Sequence, residues 1–322
     1  MTGFLLQRLA LALLILWLVS VLIFAGCQIL PGDVAQLALG QFATPENVAA
    51  LRTQMGLDQP APERYFQWLF GLLHGDWGRS MVTHTPVSAM LAERAGNTLL
   101  LAGVTTLVAI PLSVGLGLWM SLGTGGRWDR IGSICVLGLS ATPEFLIATL
   151  AVLFLAVKMR WLPTVAYLTP GAGIWATVKA LCLPVATLVI VVTAQIARMT
   201  RAIIGNLLTQ PFAEMAMLKG VSRWRVVSRH ALVMAVGPIA NVVALNIAYL
   251  VGGVVVVETI FAYPGLSRLM TDAVQARDMP IVQACALLFS AAYILLILLA
   301  DVLANAFDVR GKTRLYSQES LT

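Results

Sequence analysis

The chain has 322 residues, of which 59% are hydrophobic and only 11% are charged. Ordinary soluble domains carry roughly 25% charged residues, and a chain this apolar cannot cover its surface with polar groups in water. The composition therefore excludes a typical soluble domain and predicts lipid as the main solvent. The formal net charge is +6, but no basic stripe interleaved with aromatic residues accompanies it, so we expect no nucleic-acid partner.

Apolar residues form six blocks that are long enough to cross a bilayer, for which a helix needs about 20 residues. They cover residues 9–30, 97–122, 131–157, 181–197, 236–257 and 281–305. A helix satisfies its own backbone hydrogen bonds in lipid, whereas an open strand does not. The sequence thus predicts an all-α integral membrane protein with six transmembrane helices.

The first block could belong to a signal peptide, but it is longer than the apolar core of one. It is also followed by Pro31-Gly32-Asp33 rather than by small residues of a cleavage site. We therefore expect residues 1–30 to be a retained N-terminal span. The rest of the predicted organisation is a long external region at 31–96, a core with five further spans at 97–305, and a tail at 306–322.

Lys and Arg residues set the expected orientation, because cytoplasmic loops of membrane proteins are enriched in them. The densest basic segment lies between the fourth and fifth blocks. It contains Arg198, Arg201, Lys219, Arg223, Arg225 and Arg229. We predict that this segment and both termini face the cytoplasm.

The external region contains an aromatic stretch from Tyr65 to Leu73, followed by the glycine-rich segment 74–78. Aromatic and apolar residues mixed with polar ones are typical of a helix at a membrane interface. We predict an amphipathic helix here. It either meets the solute or packs as a lid on the ends of the spans, and the sequence leaves both open.

The cytoplasmic loop, residues 198–235, carries the strongest local signal. Pro211 can begin a helix, because the first helical position needs no N–H donor. Glu214 then lies near the positive helix end, Lys219 lies near the negative end, and Gly220 can adopt the left-handed conformation that stops a helix. The pattern predicts a helix of barely two turns.

A helix this short is marginal in water, so we expect another surface to dock against it. Residues at helical spacing should share one face, and they are Phe212, Met215, Ala216 and Lys219. The small side chains of Ala213 and Ala216 should let a partner approach closely. Ser222 can cap the next helix. The alternative is an amphipathic turn that lies on anionic lipid.

Catalytic motifs are missing from the sequence. Three scattered histidines, His74, His84 and His230, form no HExxH motif. Gly311-Lys312-Thr313 is similar to the end of a Walker A loop, but Ala306 occupies the position of the first glycine that the motif needs. We therefore expect this chain to be no enzyme and to bind no metal or cofactor.

The loop motif Glu214-x-Ala216-x-x-x-Gly220 resembles the "EAA…G" loop of permease subunits in binding-protein-dependent ABC importers. The resemblance extends over almost the whole chain and looks like the B-type permeases of the peptide/nickel branch. Further segments that carry it are Leu30-Pro31-Gly32-Asp33, Gly56-Leu57-Asp58-Gln59-Pro60, Gly75-Asp76-Trp77-Gly78-Arg79-Ser80, Trp161-Leu162-Pro163, Arg229-His230-Ala231-Leu232, Val256-Val257-Glu258-Thr259-Ile260-Phe261-x-x-Pro264-Gly265-Leu266 and Arg277-Asp278-x-Pro280. Met215 stands where the motif usually has alanine, a departure that leaves the family intact and the solute open.

The resemblance implies the type I ABC importer permease fold in a bacterial inner membrane. It also implies four kinds of partner: a second homologous permease, two cytoplasmic ATPase subunits that use ATP and Mg²⁺, a periplasmic solute-binding protein and membrane lipid. The short helix would be the coupling helix, seated in an ATPase cleft, with Phe212, Ala213, Glu214, Met215, Ala216, Lys219 and Gly220 as its functional residues. The solute would be a dipeptide or oligopeptide, a nickel chelate, glutathione or an opine.

Polar side chains within the spans are candidates for the translocation pathway, because an acid at a helix centre costs about 2.5 to 3.5 kcal/mol. Glu144 follows Thr142-Pro143, where proline can bend the helix. It either faces the pathway or forms a salt bridge with the partner permease. Asn246 is a weaker pathway candidate, since a hydrogen bond to a neighbouring helix is the simpler expectation.

Two other classes of protein stay open from the residues alone. A secondary transporter or channel driven by an ion gradient would also have six spans, but the coupled acidic pairs and the inverted, broken helices expected of such carriers are missing. An intramembrane enzyme would account for Glu144, but it needs a second catalytic group. ATP dependence of uptake separates these classes.

Overall fold

The computed structural model describes residues 2–29, 36, 43–54, 58–167, 171 and 173–306. All regular secondary structure in the described residues is helical, apart from one isolated antiparallel bridge between Arg79 and Pro86. The predicted tail beyond residue 306, the segment 30–33 and the Gly56-Leu57 pair lie outside the described residues.

The described helices occur in the following order along the chain. They are α1 (Thr2–Ile29), α2 (Pro45–Gln54), α3 (Ala61–Leu73), α4 (Val87–Leu122), α5 (Arg127–Ala141), α6 (Glu144–Ala151), α7 (Ile174–Leu208), α8 (Pro211–Leu218), α9 (Arg223–Arg225), α10 (Leu232–Gly253), α11 (Val255–Ile260), α12 (Leu266–Ala276) and α13 (Met279–Ala306). Two segments have π-helical hydrogen bonding: Val152–Lys158 continues α6, and Val226–Ala231 joins α9 to α10.

Five helical segments within the described residues are long and apolar enough to cross a membrane. They are Leu6–Ile29, Val87–Leu122, Ile174–Leu208, Arg223–Ile260 and Met279–Val302. A sixth candidate is the bent pair Arg127–Ala141 and Glu144–Lys158, if the pair is counted as one span. The prediction of an all-helical membrane protein is confirmed by the length and composition of these helices. The short fourth block lies inside a helix of 35 residues.

The third predicted block is bent by 96° between α5 and α6. Thr142 and Pro143 form the break and both have extended ψ angles. Proline disfavours helical geometry in the residue before it and has no N–H donor for the preceding turn. The bend that the sequence suggested therefore has a local cause, and it places Glu144 at the first position of α6.

The described chain divides into two compact units. One unit contains residues up to Leu99 together with Pro264–Ile294, and the other contains Leu100–Tyr263 together with the residues from Leu295 onward. Each unit has its own buried core. Helices α4 and α13 each contribute residues to both units.

In the first unit, the predicted amphipathic helix is present as α3 and packs against α1. The rings of Phe24 and Tyr65 meet edge to face, with centroids 5.5 Å apart. The Tyr65 hydroxyl lies 2.8 Å from the Ser20 hydroxyl, and both side chains are buried. The hydroxyl pair satisfies two polar groups on otherwise apolar surfaces, so α3 is fixed to the first span.

Asp278 joins two separate segments of the first unit. Its carboxylate accepts a hydrogen bond from the Ser80 hydroxyl and another, 3.1 Å long, from the backbone N–H of Met81. Only 2% of Asp278 is exposed. The segments 75–80 and 277–280, which carry part of the sequence resemblance, therefore meet in space.

The second unit is built around α7, which packs against α5, α6 and α10. Its core contains, among others, Leu101, Leu188, Ile196, Leu250 and Tyr263. The close packing of α4 on α7 depends on Gly117, because a Cβ there would lie 2.6 Å from the Cβ of Thr200. A second cluster, which contains Ile204 and Val227, includes residues of the loop that the sequence singled out.

Candidate functional site

The short helix predicted in the loop between the fourth and fifth blocks is present as α8, with Pro211 in its first turn. It ends as predicted at Gly220, whose φ is +84°. The Gly220 N–H donates to the carbonyl of Met217, and the Val221 N–H donates to that of Ala216. These two bonds form a Schellman motif, which satisfies the last carbonyls of the helix.

One side of α8 packs on the chain itself. Ala213 is completely buried, and Phe212 is half-buried against the cluster that contains Ile204 and Val227. This packing compensates for the low intrinsic stability of a two-turn helix. The close approach that we expected a partner to make at Ala213 is thus made by the chain's own helices, while Ala216 is half-buried beside it.

The opposite side of α8 is exposed and largely apolar. We call Pro211, Glu214, Met215 and Leu218 the coupling face, because helical spacing places these four residues together. Met215 is 56% exposed and Leu218 is 76% exposed. Lys219 is exposed beside them. The predicted grouping of Phe212 with Met215 is therefore split between the two sides, and sequence reasoning missed Leu218.

The segment after α8 is held to α4 as well. Arg223 donates a hydrogen bond of 3.3 Å to the carbonyl oxygen of Ser121. Ser222 occupies the N-cap position of α9, as predicted, but its side chain makes no capping bond. The loop is therefore attached to the helical core on both sides of Gly220.

An ion pair that the sequence analysis did not identify lies in the second unit. Arg201 on α7 donates to both carboxylate oxygens of Asp129 on α5, over 2.5 and 2.7 Å. The backbone N–H of Gly125 donates to the same carboxylate over 2.9 Å. Only 3% of Asp129 is exposed. Asp129 precedes the third apolar block and Arg201 follows the fourth, so the predicted topology places both on the same side of the membrane. This placement was the signal in the sequence that could have indicated the pair.

Glu144 begins α6, directly after the bend. Its Oε2 accepts a hydrogen bond from the Tyr249 hydroxyl on α10. Its Oε1 is buried and has no hydrogen-bond partner. The structure therefore places this acid against a tyrosine that the sequence gave no reason to choose.

Asn246 lies on the same helix as Tyr249, three residues away, so the two side chains share a face. Its Nδ2 donates to the carbonyl of Val242 over 2.9 Å, within its own helix. Its Oδ1 is buried without a partner, and the residue is only 8% exposed. The hydrogen bond to a neighbouring helix that we expected is therefore not made by this amide.

Glu258, which lies within one of the resembling segments, is completely buried, as is Tyr263. The Tyr263 N–H donates to the Glu258 carbonyl over 2.8 Å. Burial raises the pKa of the Tyr263 phenol, and the negative charge of Glu258 raises it further. No role for this pair followed from the sequence.

Two protein-family models match this chain. A family model described as "Binding-protein-dependent transport system inner membrane component" matches residues 113–312. A second model, for the N-terminal part of such membrane components, matches residues 1–102. Together they cover both the bent third block and the α8 loop.

Curated relatives match over nearly the full length. A probable peptide ABC transporter permease of Sinorhizobium fredii is 34% identical over 308 residues, which is 95% of this chain and 98% of the relative. A putative peptide transport system permease of Brucella suis is 36% identical, covering 96% of this chain and 99% of the relative. A glutathione transport system permease of Salmonella typhi is 37% identical, covering 96% and 98%.

Proposed function

The chain belongs to the family of binding-protein-dependent transport system inner membrane components, and from this premise we propose that it forms half of the translocation pathway of an ATP-driven importer for short peptides or related solutes. It is a multi-pass inner-membrane permease subunit of an ABC transporter. The relatives named for peptide and glutathione transport support a peptide-class solute.

The observation that carries this proposal is the coupling face of α8. A two-turn helix presents Met215 and Leu218 to solvent, although both are apolar. Exposed apolar side chains grouped on one surface mark a protein or membrane interaction site, and membership of a transport-system family favours a protein partner. In this proposal the coupling face sits in a cleft of a partner ATPase, with Glu214 and Lys219 at its edge.

The attachment of α8 explains how motion would be transmitted. Phe212 and Ala213 fix one side of the helix to the core of the second unit, so movement of an ATPase would move α7 and α10 together with α8. The ATPase subunits would use ATP and Mg²⁺, and this chain would contribute no catalytic group. The partners would be a second permease, two ATPases and a periplasmic binding protein.

The proposed topology has six spans, with the bent α5–α6 pair as the third span and both termini in the cytoplasm. It puts the basic segment around Arg223 and Arg225 on the cytoplasmic side, as the enrichment of such residues there requires. In this arrangement Glu144 and Asn246, which lie within spans, border the translocation pathway.

The test is uptake by proteoliposomes that contain the purified complex. The subunits co-expressed with this chain should co-purify with it as two ATPases and a second permease. Uptake of a radiolabelled dipeptide in the presence of the binding protein should require ATP. A proton gradient should not change its rate. Uptake driven by the gradient alone would instead support a secondary transporter, and ATP hydrolysis by this chain alone would contradict the assignment.

A further inference from the structure

Glu144, Tyr249 and Asn246 form a polar group inside the second unit, which we call the acceptor site. Tyr249 connects the other two residues, because it donates its hydroxyl proton to Glu144 and shares a helix face with Asn246. Each of the three residues lies in a candidate span or in the bent pair. An acid in such a position is costly and marks a functional site by default.

The unsatisfied atoms of the acceptor site are all acceptors. Glu144 Oε1 and Asn246 Oδ1 are buried without a hydrogen-bond partner. The orientation of the Asn246 amide is fixed, because its Nδ2 must face the Val242 carbonyl, which can only accept. The Tyr249 hydroxyl donates its hydrogen to the bond with Glu144, so its oxygen can act only as an acceptor toward another group. The site therefore offers oxygen lone pairs and one carboxylate.

Buried acceptors without partners are rare and destabilising. Their chemistry therefore indicates which kind of group would satisfy them. The partner must donate hydrogen bonds and should carry positive charge to balance Glu144. A primary ammonium group has three N–H donors and no acceptor. It matches the acceptor site, whereas a carboxylate or phosphate would be repelled.

Resting on the proposed function, we infer that Glu144, Tyr249 and Asn246 form a binding site in the translocation pathway for a primary ammonium group of the solute, such as the amino terminus of a short peptide. Glu144 supplies the countercharge and Asn246 supplies a directed acceptor. Tyr249 orients the carboxylate and leaves Oε1 free for the ammonium.

The experiment probes the site with small charged reagents and does not depend on the binding protein's selectivity. The four natural cysteines, Cys27, Cys135, Cys182 and Cys285, are first replaced by alanine in the complete complex. Asn246→Cys then places a thiol beside the intact Glu144–Tyr249 pair. The rates of its modification by aminoethyl and by sulfonatoethyl methanethiosulfonate are compared during ATP turnover.

The aminoethyl reagent carries a primary ammonium, whereas the sulfonatoethyl reagent carries an anion. We expect the ratio of their rates at Asn246→Cys to exceed that of a free small thiol by about tenfold or more. The inference places position 246 close to the charge of Glu144, and an opposite charge within about 4 to 6 Å has effects of this size. Glu144→Gln in the same background should return the ratio to that of the free thiol. Glu144→Asp should keep most of the preference.

A matched control is Leu245→Cys, whose side chain is adjacent in sequence and 41% exposed. It points about 100° away around the helix, so its reagent ratio should not change between Glu144 and Glu144→Gln backgrounds. Co-purification of the ATPases reports whether each variant assembles. If Glu144→Gln fails to assemble, the ratio of the two modification rates at Asn246→Cys with Glu144 intact still tests the ammonium site.

Two results would overturn the inference: no reaction of Asn246→Cys in any state, or a reagent ratio equal to that of the free thiol. ATP-dependent uptake by the wild-type complex is measured separately. Uptake that persists without charge selection at Asn246→Cys would reject the ammonium site and keep the importer function. Loss of ATP dependence would reject the function itself.

Discussion

Arg201 on α7 forms a two-point ion pair with Asp129 on α5, with N–O distances of 2.5 and 2.7 Å. Such a pair has defined geometry, because the planar guanidinium matches the two carboxylate oxygens. Asp129 is almost completely buried, whereas about a third of the Arg201 side chain is exposed. The ion pair therefore fixes the start of the bent α5–α6 pair to α7.

We expect Asp129→Asn to destabilise the complex, because it leaves Arg201 without its countercharge. Breaking a fully buried pair costs about 3 to 5 kcal/mol, and the partial exposure of Arg201 reduces our expectation to about 1 to 3 kcal/mol. The measurement is the thermal unfolding midpoint in detergent. The control is Asp272→Asn, which removes a long, exposed contact with Arg268 at 3.9 Å and should change stability by about 0.5 kcal/mol or less. Equal shifts for the two variants would show that the Asp129 pair is not structural.

Gly117 allows α4 to approach α7 closely. An added Cβ would lie 2.6 Å from Thr200 Cβ and 2.9 Å from the Ala197 carbonyl oxygen. Gly117→Ala should therefore lower the free energy of unfolding by about 1 to 3 kcal/mol, because backbone and a β-branched side chain would have to move. The measurement is the thermal unfolding midpoint in detergent.

Gly115 in the same helix provides the matched control, because a Cβ there meets nothing within 4 Å. Gly115→Ala should leave stability unchanged or raise it by up to about 1 kcal/mol through helix propensity. Destabilisation of both variants to the same degree would mean that the close approach at Gly117 is not the cause.

The left-handed turn at Gly220 should transmit motion from α8 to the spans. Its φ is +84°, and an added Cβ there would meet no neighbouring atom within 4 Å, so the first cost of a substitution is the strain of the backbone conformation. Gly220→Val should cost more than about 1 kcal/mol in this conformation and should misplace the coupling face. We expect ATP hydrolysis to continue while uptake is lost.

Gly220→Ala should be milder than Gly220→Val, and Gly220→Asn milder still, because asparagine tolerates positive φ. The measurement is the ratio of solute imported to ATP hydrolysed in proteoliposomes. Near-normal import by Gly220→Val at normal expression would show that this turn does not transmit the motion. It would favour the alternative, in which the loop is an amphipathic turn that lies on lipid.

The coupling face predicts an interaction that can be weakened without disturbing the fold. Leu218 is 76% exposed, so Leu218→Asp removes an apolar contact to the partner and leaves the chain's own core intact. We expect the affinity for the ATPase subunits to fall at least about tenfold, as for a central interface residue. Quantitative co-purification at increasing salt measures this affinity.

Val82 is an apolar residue of the segment 31–96 and is 57% exposed, and Val82→Asp is the corresponding control. It should not change recovery of the ATPases. If Leu218→Asp complexes keep their ATPase subunits as well as the Val82→Asp complexes do, the coupling face does not bind them.

The sequence by itself determined the features that depend on neighbouring residues. Apolar blocks of span length satisfy their own backbone hydrogen bonds in lipid when they are helical. The structure has a long helix at five of the six positions and a bent helix pair at the third. The limits of α8 also followed locally, because proline begins and glycine ends a helix by their own backbone properties. The bend before Glu144 has the same origin.

Tertiary structure alone decided which residues work together. Glu144 meets Tyr249 across 105 residues, and Asp129 meets Arg201 across 72. It also decided that Ala213 faces inward and Leu218 outward, although both occupy one short helix. The physical reason is that side-chain periodicity fixes which residues share a helix face, whereas the element that covers this face is chosen by packing between helices remote in sequence.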